Sequence, residues 1–184
     1  MKTIILFGHK ARSGKDTSCD YLVEKYGFKK YSFAGKLKEI ACELYGFNNE
    51  HLNGKLKEVP TEYSIDGNNL SPRNILQIIG QDQRKIFADV WVKYVLDKIK
   101  ESSLQRFCIS DLRFRNEVEY IKNNIADDIK ICCVKLVRDL EQNISGRDDI
   151  SEHDLDSFVD WNVVINNNGS LQDLYKNLDE LVLR

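Results

Sequence analysis

The sequence predicts an α/β protein built on a doubly wound, mainly parallel five-stranded sheet with helices on both faces. Three observations predict it. Apolar, β-branched runs alternate with helical patterns along the whole chain. The first run, residues 3–7, is apolar throughout, as in a strand buried on both sides. That run leads into a loop bearing Gly14 and Lys15, and the loop opens a helix.

After the first strand, a helix is predicted from Lys15 to Tyr26, with Gly27 as its stop. Residues 31–33 read as a short second strand, and residues 34–45 as a helix stopped by Gly46. Residues 48–71 are rich in Asn, Gly, Lys and Glu with weak periodicity, which predicts a mobile insertion with a turn at Asp66-Gly67. Ser71 and Pro72 are placed as cap and first residue of a helix, and helices are expected over 72–79 and 88–101. Further strands are expected at 107–110, 130–137 and 162–166, with a helix over 114–123. Ser170 caps a closing helix whose leucines at 171, 174, 178 and 181 share one face. There is no internal repeat or clear linker. The economical organisation is one domain over 1–184, with 48–71 as an acceptor-side insertion and 138–156 as a lid.

Composition narrows the function. The chain has 184 residues, 42% hydrophobic and 30% charged, ordinary for a soluble globular protein. Its net charge of −2 supplies no global field for a nucleic acid backbone, so a nucleic acid polymer is not an expected partner. No apolar run approaches the roughly 20 residues that span a bilayer, and the first apolar run lacks a cleavage site, so no membrane is expected. The five cysteines, at 19, 42, 108, 132 and 133, are odd in number and form no C-x-x-C pair. Reduced thiols in a cytoplasmic protein, host cytoplasm if the source is viral, are the expected state. The three histidines are scattered without metal-ligand spacing.

The strongest motif is Gly8-His-Lys-Ala-Arg-Ser-Gly14-Lys15-Asp16-Thr17. Between a strand and a helix, such a loop cradles phosphate, because successive backbone N–H groups and the helix N-terminus both favour an anion. It departs from G-x-x-x-x-G-K-[ST] in two ways. Five residues separate Gly8 from Gly14, which puts His9 at the usual first-glycine position, and Asp16 stands where a hydroxyl normally binds Mg²⁺.

These departures carry a resemblance. Ser13-Gly-Lys-Asp-Thr17 resembles the bacteriophage deoxynucleoside monophosphate kinases, in which Asp follows the loop lysine. Ser32-Phe-Ala34 with Leu37-Lys38 is similar to that family's segment after its first helix. Arg73-Asn-Ile-Leu-Gln77-Ile-Ile-Gly80 and Trp91-Val-Lys93 resemble its substrate-side helices. Asp111-Leu-Arg113-Phe-Arg-Asn116-Glu117 fits its D-x-R-F-x-N-E signature, and Asn167-Asn-Gly-Ser-Leu171 its Asn-Asp-Gly-Ser-Leu. The pieces occur in order over nearly the whole chain. The resemblance implies a P-loop kinase fold and phosphorylation of deoxynucleoside monophosphates with ATP and Mg²⁺.

Transfer between two phosphates needs positive charge more than a base, because a phosphate monoester is already mostly dianionic above its second pKa of about 6. Lys15 is the candidate contact for the β- and γ-phosphates. Gly8, Arg12, Ser13, Gly14, Asp16 and Thr17 complete the ATP loop, and Asn167 is a candidate contact for the adenine. Asp16, Thr17 and Asp111 are candidate Mg²⁺ groups, and Asp111 could instead hold a sugar hydroxyl. Arg73, Gln77, Gly80, Arg84, Trp91, Asp111 and Arg113 are the candidate acceptor pocket, with Trp91 as a base platform. Arg138 and Arg147 bracket the lid and could reach the transferring phosphate. The partners implied are small-molecule nucleotides, with a homodimer left open. Two alternatives stand beside this reading: a kinase for another phosphorylated small molecule, such as phosphomevalonate, and an ATP-binding regulator without catalysis.

Overall fold

A computed structural model describes residues 2–139 and 153–183. The element order is β1 (Thr3–Gly8), α1 (Lys15–Tyr26), β2 (Lys29–Tyr31), α2 (Gly35–Tyr45), α3 (Asn49–Leu52), a 3-10 turn (Lys55–Glu58), β3 (Ser64–Ile65), β4 (Asn68–Asn69), α4 (Pro72–Ile86), α5 (Val90–Glu101), β5 (Arg106–Leu112), α6 (Arg115–Asn124), β6 (Lys130–Val137), β7 (Val163–Asn166) and α7 (Leu171–Leu183). Five strands form one wholly parallel sheet in the order β2-β5-β1-β6-β7, the doubly wound arrangement that the alternating pattern predicts. The connections run outward on both sides of β1, so its carboxyl end at Gly8 is the switch point where ligands bind in such sheets.

The chain divides into two compact units, residues 1–32 with 95–184, and residues 33–94. In the first, Ile5 and Phe7 of β1 pack in one core with Cys19 and Leu22 of α1 and with Leu174, Leu178 and Leu181 of α7. Ile4 and Leu6 point to the opposite face, as a period of two requires, and Leu96, Ile99, Val118 and Ile121 are buried as well. Leu171, which the leucine spacing assigns to the core, is 51% exposed, because it opens α7 beyond the edge of that core. In the second unit, Ala41, Phe47, Leu52, Ile75 and Leu76 form a separate core, with Tyr45 and Tyr63 against it.

The larger departures from the sequence pattern are three. The second strand lies at Lys29–Tyr31, two residues earlier than expected, and the hydroxyl of Ser32 instead donates to Asp111 at 2.8 Å. The 48–71 segment carries regular structure: α3, the 3-10 turn and a β3–β4 hairpin whose Asp66-Gly67 turn has φ of 50° and 78°. Tertiary contacts order it, with Tyr63 edge-on to Tyr45 at 4.9 Å. Helix α4 does not stop before Gly80 but runs on to Ile86. Gly80 is buried there, and the indole N–H of Trp91 donates to its carbonyl at 3.2 Å. Of the expected lid, residues 140–152 lie outside the described residues, and with them Arg147.

Asp179 fastens α7 to α1. Its carboxylate accepts from Lys25 at 2.7 Å, Tyr21 at 2.7 Å and Tyr26 at 2.8 Å. Those bonds, Lys25's foremost, hold its carboxyl down at about 2. A depressed carboxyl contributes stability above its unfolded pKa and loses it as pH falls through the folded one. The stability advantage of wild type over Asp179→Asn should therefore be full at neutral pH. It should shrink as pH drops from 3.8 toward about 2, as read by urea unfolding at a series of pH values.

Candidate functional site

The loop between β1 and α1 takes three left-handed backbone conformations, at His9 (φ 92°), Arg12 (φ 58°) and Gly14 (φ 105°). Mixing left- and right-handed residues curls a backbone so that its amides face a common point, the geometry of an anion nest. Lys15, the first residue of α1, is only 7% exposed. Its ammonium donates to the carbonyl of His9 at 3.0 Å, to that of Lys10, and to the Ser13 hydroxyl at 3.4 Å. The ammonium thus sits within the curl of the loop, where a bound phosphate would meet it.

Gly14 must be glycine for a second reason besides its φ. A Cβ there would lie 2.4 Å from the side-chain nitrogen of Asn167. That nitrogen donates to the Ser13 carbonyl at 2.9 Å, while the Asn167 backbone N–H donates to Val137 at 2.7 Å. Asn167, proposed from sequence as an adenine contact, is buried here with its amide nitrogen committed to the loop. Its neighbour Asn168 exchanges two 2.7 Å hydrogen bonds with Asp139, directly after the exposed Arg138.

Gly8 also has a packing reason, absent from the sequence reading. A Cβ there would lie 2.6 Å from the Trp161 ring, which meets Phe158 edge-on at 4.9 Å. The Trp161 indole nitrogen and Nδ1 of His9 are both buried without a hydrogen-bond partner. Burial first, then Lys135 and Lys10, pushes the His9 pKa below its usual value, so the ring is neutral at pH 7.

The candidate metal groups occupy two places. Asp16 and Thr17 lie exposed in the first turn of α1, and Lys30 bridges the carboxylates of Asp16 and Asp20 at 2.9 Å each. Burial works against the Lys30 charge, but the bonds to Asp16 and Asp20 outweigh it and raise its pKa. Asp111 sits where the β1–β5 register slips: Leu6 pairs Ile109, but Gly8 pairs Leu112. The extra residue on β5 is a bulge, a device that re-aims side chains beside sites.

In the second unit, Arg73, Gln77, Gly80 and Arg84 recur along one face of α4. The Arg73 Nε pairs with Glu58, and Arg84 Nη1 reaches the Gly80 carbonyl at 3.5 Å. Trp91 is 5% exposed, a core residue in this structure. Back in the first unit, the half-buried Arg113 precedes α6, and its backbone N–H and that of Phe114 donate to Glu117 at 2.9 and 3.0 Å. That buried carboxylate satisfies amides at the helix start.

Comparison with known proteins agrees with this architecture. Residues 2–90 match the family model described as deoxynucleotide monophosphate kinase. A protein of Acanthamoeba polyphaga mimivirus, described provisionally as a deoxynucleotide monophosphate kinase, is 29% identical over 97% of this chain and 94% of its own. Among solved structures, shikimate kinase from Aquifex aeolicus aligns with a TM-score of 0.52 at 11% identity, over 98% of this chain and 96% of that one. Dephospho-CoA kinase from Campylobacter jejuni aligns at 0.51 and 15%, over 100% and 96%. The structural likenesses establish the fold alone, a five-stranded parallel sheet with helices like those of these two kinases.

The Asn167–Ser13 bond carries a test. Asn167→Ala strands a loop carbonyl and removes a buried side chain, which should cost about 1–3 kcal/mol of stability. Amide hydrogen exchange should rise across residues 9–14 more than in the sheet. Unchanged exchange in the loop would show that it holds its shape without Asn167.

Proposed function

We propose that this chain, a relative of the deoxynucleotide monophosphate kinase family, transfers the γ-phosphoryl group of ATP to the phosphate of a deoxynucleoside monophosphate, yielding the diphosphate. The family match and the kinase fold support a nucleotide kinase. The observation that carries the reading is the buried Lys15 ammonium, held inside a left-handed loop at the switch point of a parallel sheet.

The chemistry asked of the protein is electrostatic. Lys15 and the loop amides would hold the β- and γ-phosphates, and Arg12, at the loop's exposed rim, would add charge. Asp16, Thr17 and Asp111 are hard oxygen donors that suit Mg²⁺, directly or through water; the ion supplies charge neutralisation on the phosphates. Arg73 is the proposed acceptor-phosphate contact of the second unit, with Gln77, Gly80, Arg84 and Trp91 as its companions there, and Arg113 is a further candidate contact on the first unit. Arg138 follows the carboxyl end of β6, the ligand-binding end of the sheet, and would act with Arg147 on the transferring group.

The test is a coupled ADP-release assay over nucleoside and deoxynucleoside monophosphates. Turnover is expected with at least one deoxynucleotide, and Lys15→Ala should reduce it by orders of magnitude in a protein that stays folded. Phosphorylation of phosphomevalonate but of no nucleotide would overturn the acceptor while keeping the kinase. ATP binding without any turnover would make the chain a regulator.

Arg73 gives a sharper expectation. Its guanidinium offers a planar two-pronged contact that an ammonium cannot copy, so Arg73→Lys should not rescue Arg73→Ala. Losing that contact should cost about 1.5–3 kcal/mol, roughly ten- to 150-fold in the acceptor's kcat/KM at saturating ATP. An unchanged value would reduce Arg73 to the structural partner of Glu58.

A further inference from the structure

We propose that Asp156 is a positioning residue for the phosphate-binding loop, acting by clamping the side chain of Lys10. The effect on nucleotide binding rests on the ATP-binding reading above; the effect on the loop itself does not.

Lys10 is tied at two points. Its backbone carbonyl accepts from the Lys15 ammonium, and its own ammonium pairs with one carboxylate oxygen of Asp156. Any rotation of the Lys10 peptide unit that frees its side chain therefore also displaces the carbonyl that holds Lys15. Lys10 lies between the left-handed residues His9 and Arg12, in the part of the loop where the backbone has least intrinsic reason to stay.

Asp156 is suited to act as the fixed end of this clamp. Its second oxygen lies 3.2 Å from Nδ1 of His153, and its N–H donates to the His153 carbonyl at 2.9 Å. The adjacent Leu155 is buried, and Asp154 is bound from below by Arg115. The Arg115 backbone N–H donates to the Asp154 carboxylate at 2.7 Å, and its Nε donates to the Asp154 carbonyl at 3.0 Å. Further on, Trp161 covers Gly8. The 153–161 stretch thus grips this region twice, at Gly8, where β1 ends, and at Lys10. Exposed ion pairs are usually worth little because two long side chains must be ordered to form them. Here one partner is short and its backbone is already fixed. The Lys10 bond in turn holds the Asp156 carboxyl below its usual range, so the carboxylate stays ionised at neutral pH.

Two other views make different predictions. If the pair is an idle surface contact, removing Asp156 changes nothing. If Asp156 acts only as a negative charge near the phosphate site, removing it should tighten ATP binding. Positioning predicts the opposite sign.

The experiment compares the full-length wild type with Asp156→Ala, Asp156→Glu, Lys10→Met and the double variant Asp156→Ala/Lys10→Met. Two readouts are taken: amide hydrogen exchange of residues 9–14 without nucleotide, and calorimetric titration with ATP and Mg²⁺. Asp156→Ala should speed loop exchange and weaken ATP by about three- to fivefold each, the range a well-anchored exposed pair supplies. Asp156→Glu should recover most of both. In exchange, the double variant should equal either single one, because both remove the same clamp. Unchanged loop exchange, additive exchange effects, or ATP affinity that is equal or tighter in Asp156→Ala would overturn the proposal. If wild type binds no ATP, the kinase reading falls, and the exchange cycle alone decides whether Asp156 holds the loop.

Discussion

The rest of the first unit is arranged around a backbone that does not relax by itself. Between Gly8 and Lys15 the chain takes three left-handed conformations, and two fall on residues that carry a Cβ, His9 and Arg12. Each such residue costs on the order of 1–3 kcal/mol, so the surroundings must over-determine the shape. They do so from several sides. β1 beneath is buried and paired on both edges; Asn167 takes the Ser13 carbonyl; Lys15 takes those of His9 and Lys10; Trp161 closes over Gly8. Two of these contacts require glycine, one for φ and side-chain clearance at Gly14, the other for clearance alone at Gly8.

A chain with net charge −2 has no general attraction for polyanions, so its cations have to be placed singly. The structure shows how such groups are kept without leaving charges stranded. Lys15 shares loop oxygens, Arg73 has Glu58, Asp16 has Lys30, and Asp111 accepts from Ser32. These four candidate groups already have internal partners. Binding of a phosphate or a cation at these groups would then be an exchange of partners rather than the filling of an unsatisfied site. The net gain is smaller than the gross contact energy, and selectivity falls to ligands whose geometry beats the internal partner.

What could be read from the sequence was local. The helix from Lys15 to Tyr26 was legible because a left-handed Gly27 ends it, with φ of 67°, and the strand Lys130–Val137 because six of its eight residues are apolar, three of them β-branched. The loop was legible because strand, glycine, lysine and helix are contiguous. What could not be read depends on partners far along the chain. Asn167 and Ser13 are 154 positions apart, and Lys10 and Asp156 are 146 apart. No periodicity or spacing connects such residues. The second strand was misplaced for the same reason, since Ser32 leaves it to serve Asp111. The 48–71 segment looked irregular because its order comes from the Tyr45, Phe47 and Tyr63 cluster rather than from amphipathic repeats.

The two sets of candidate residues are held by different physics. The loop set depends on strained backbone held by several separate contacts, so each support contributes to the geometry of the whole loop. The α4 set depends on a regular helix, where residues 73, 77, 80 and 84 share a face by the repeat of the helix alone. There the carbonyl of the buried Gly80 accepts from the Trp91 indole at 3.2 Å, a bond that any residue's main chain would make. A Cβ at that position would meet Leu37 Cδ2 at 3.4 Å, an ordinary contact, so packing does not require glycine. Through its indole bond Trp91 fixes the helix that presents Arg73 and Gln77. With 5% of its surface exposed, Trp91 is a core residue in that role and offers no ring face as a base platform.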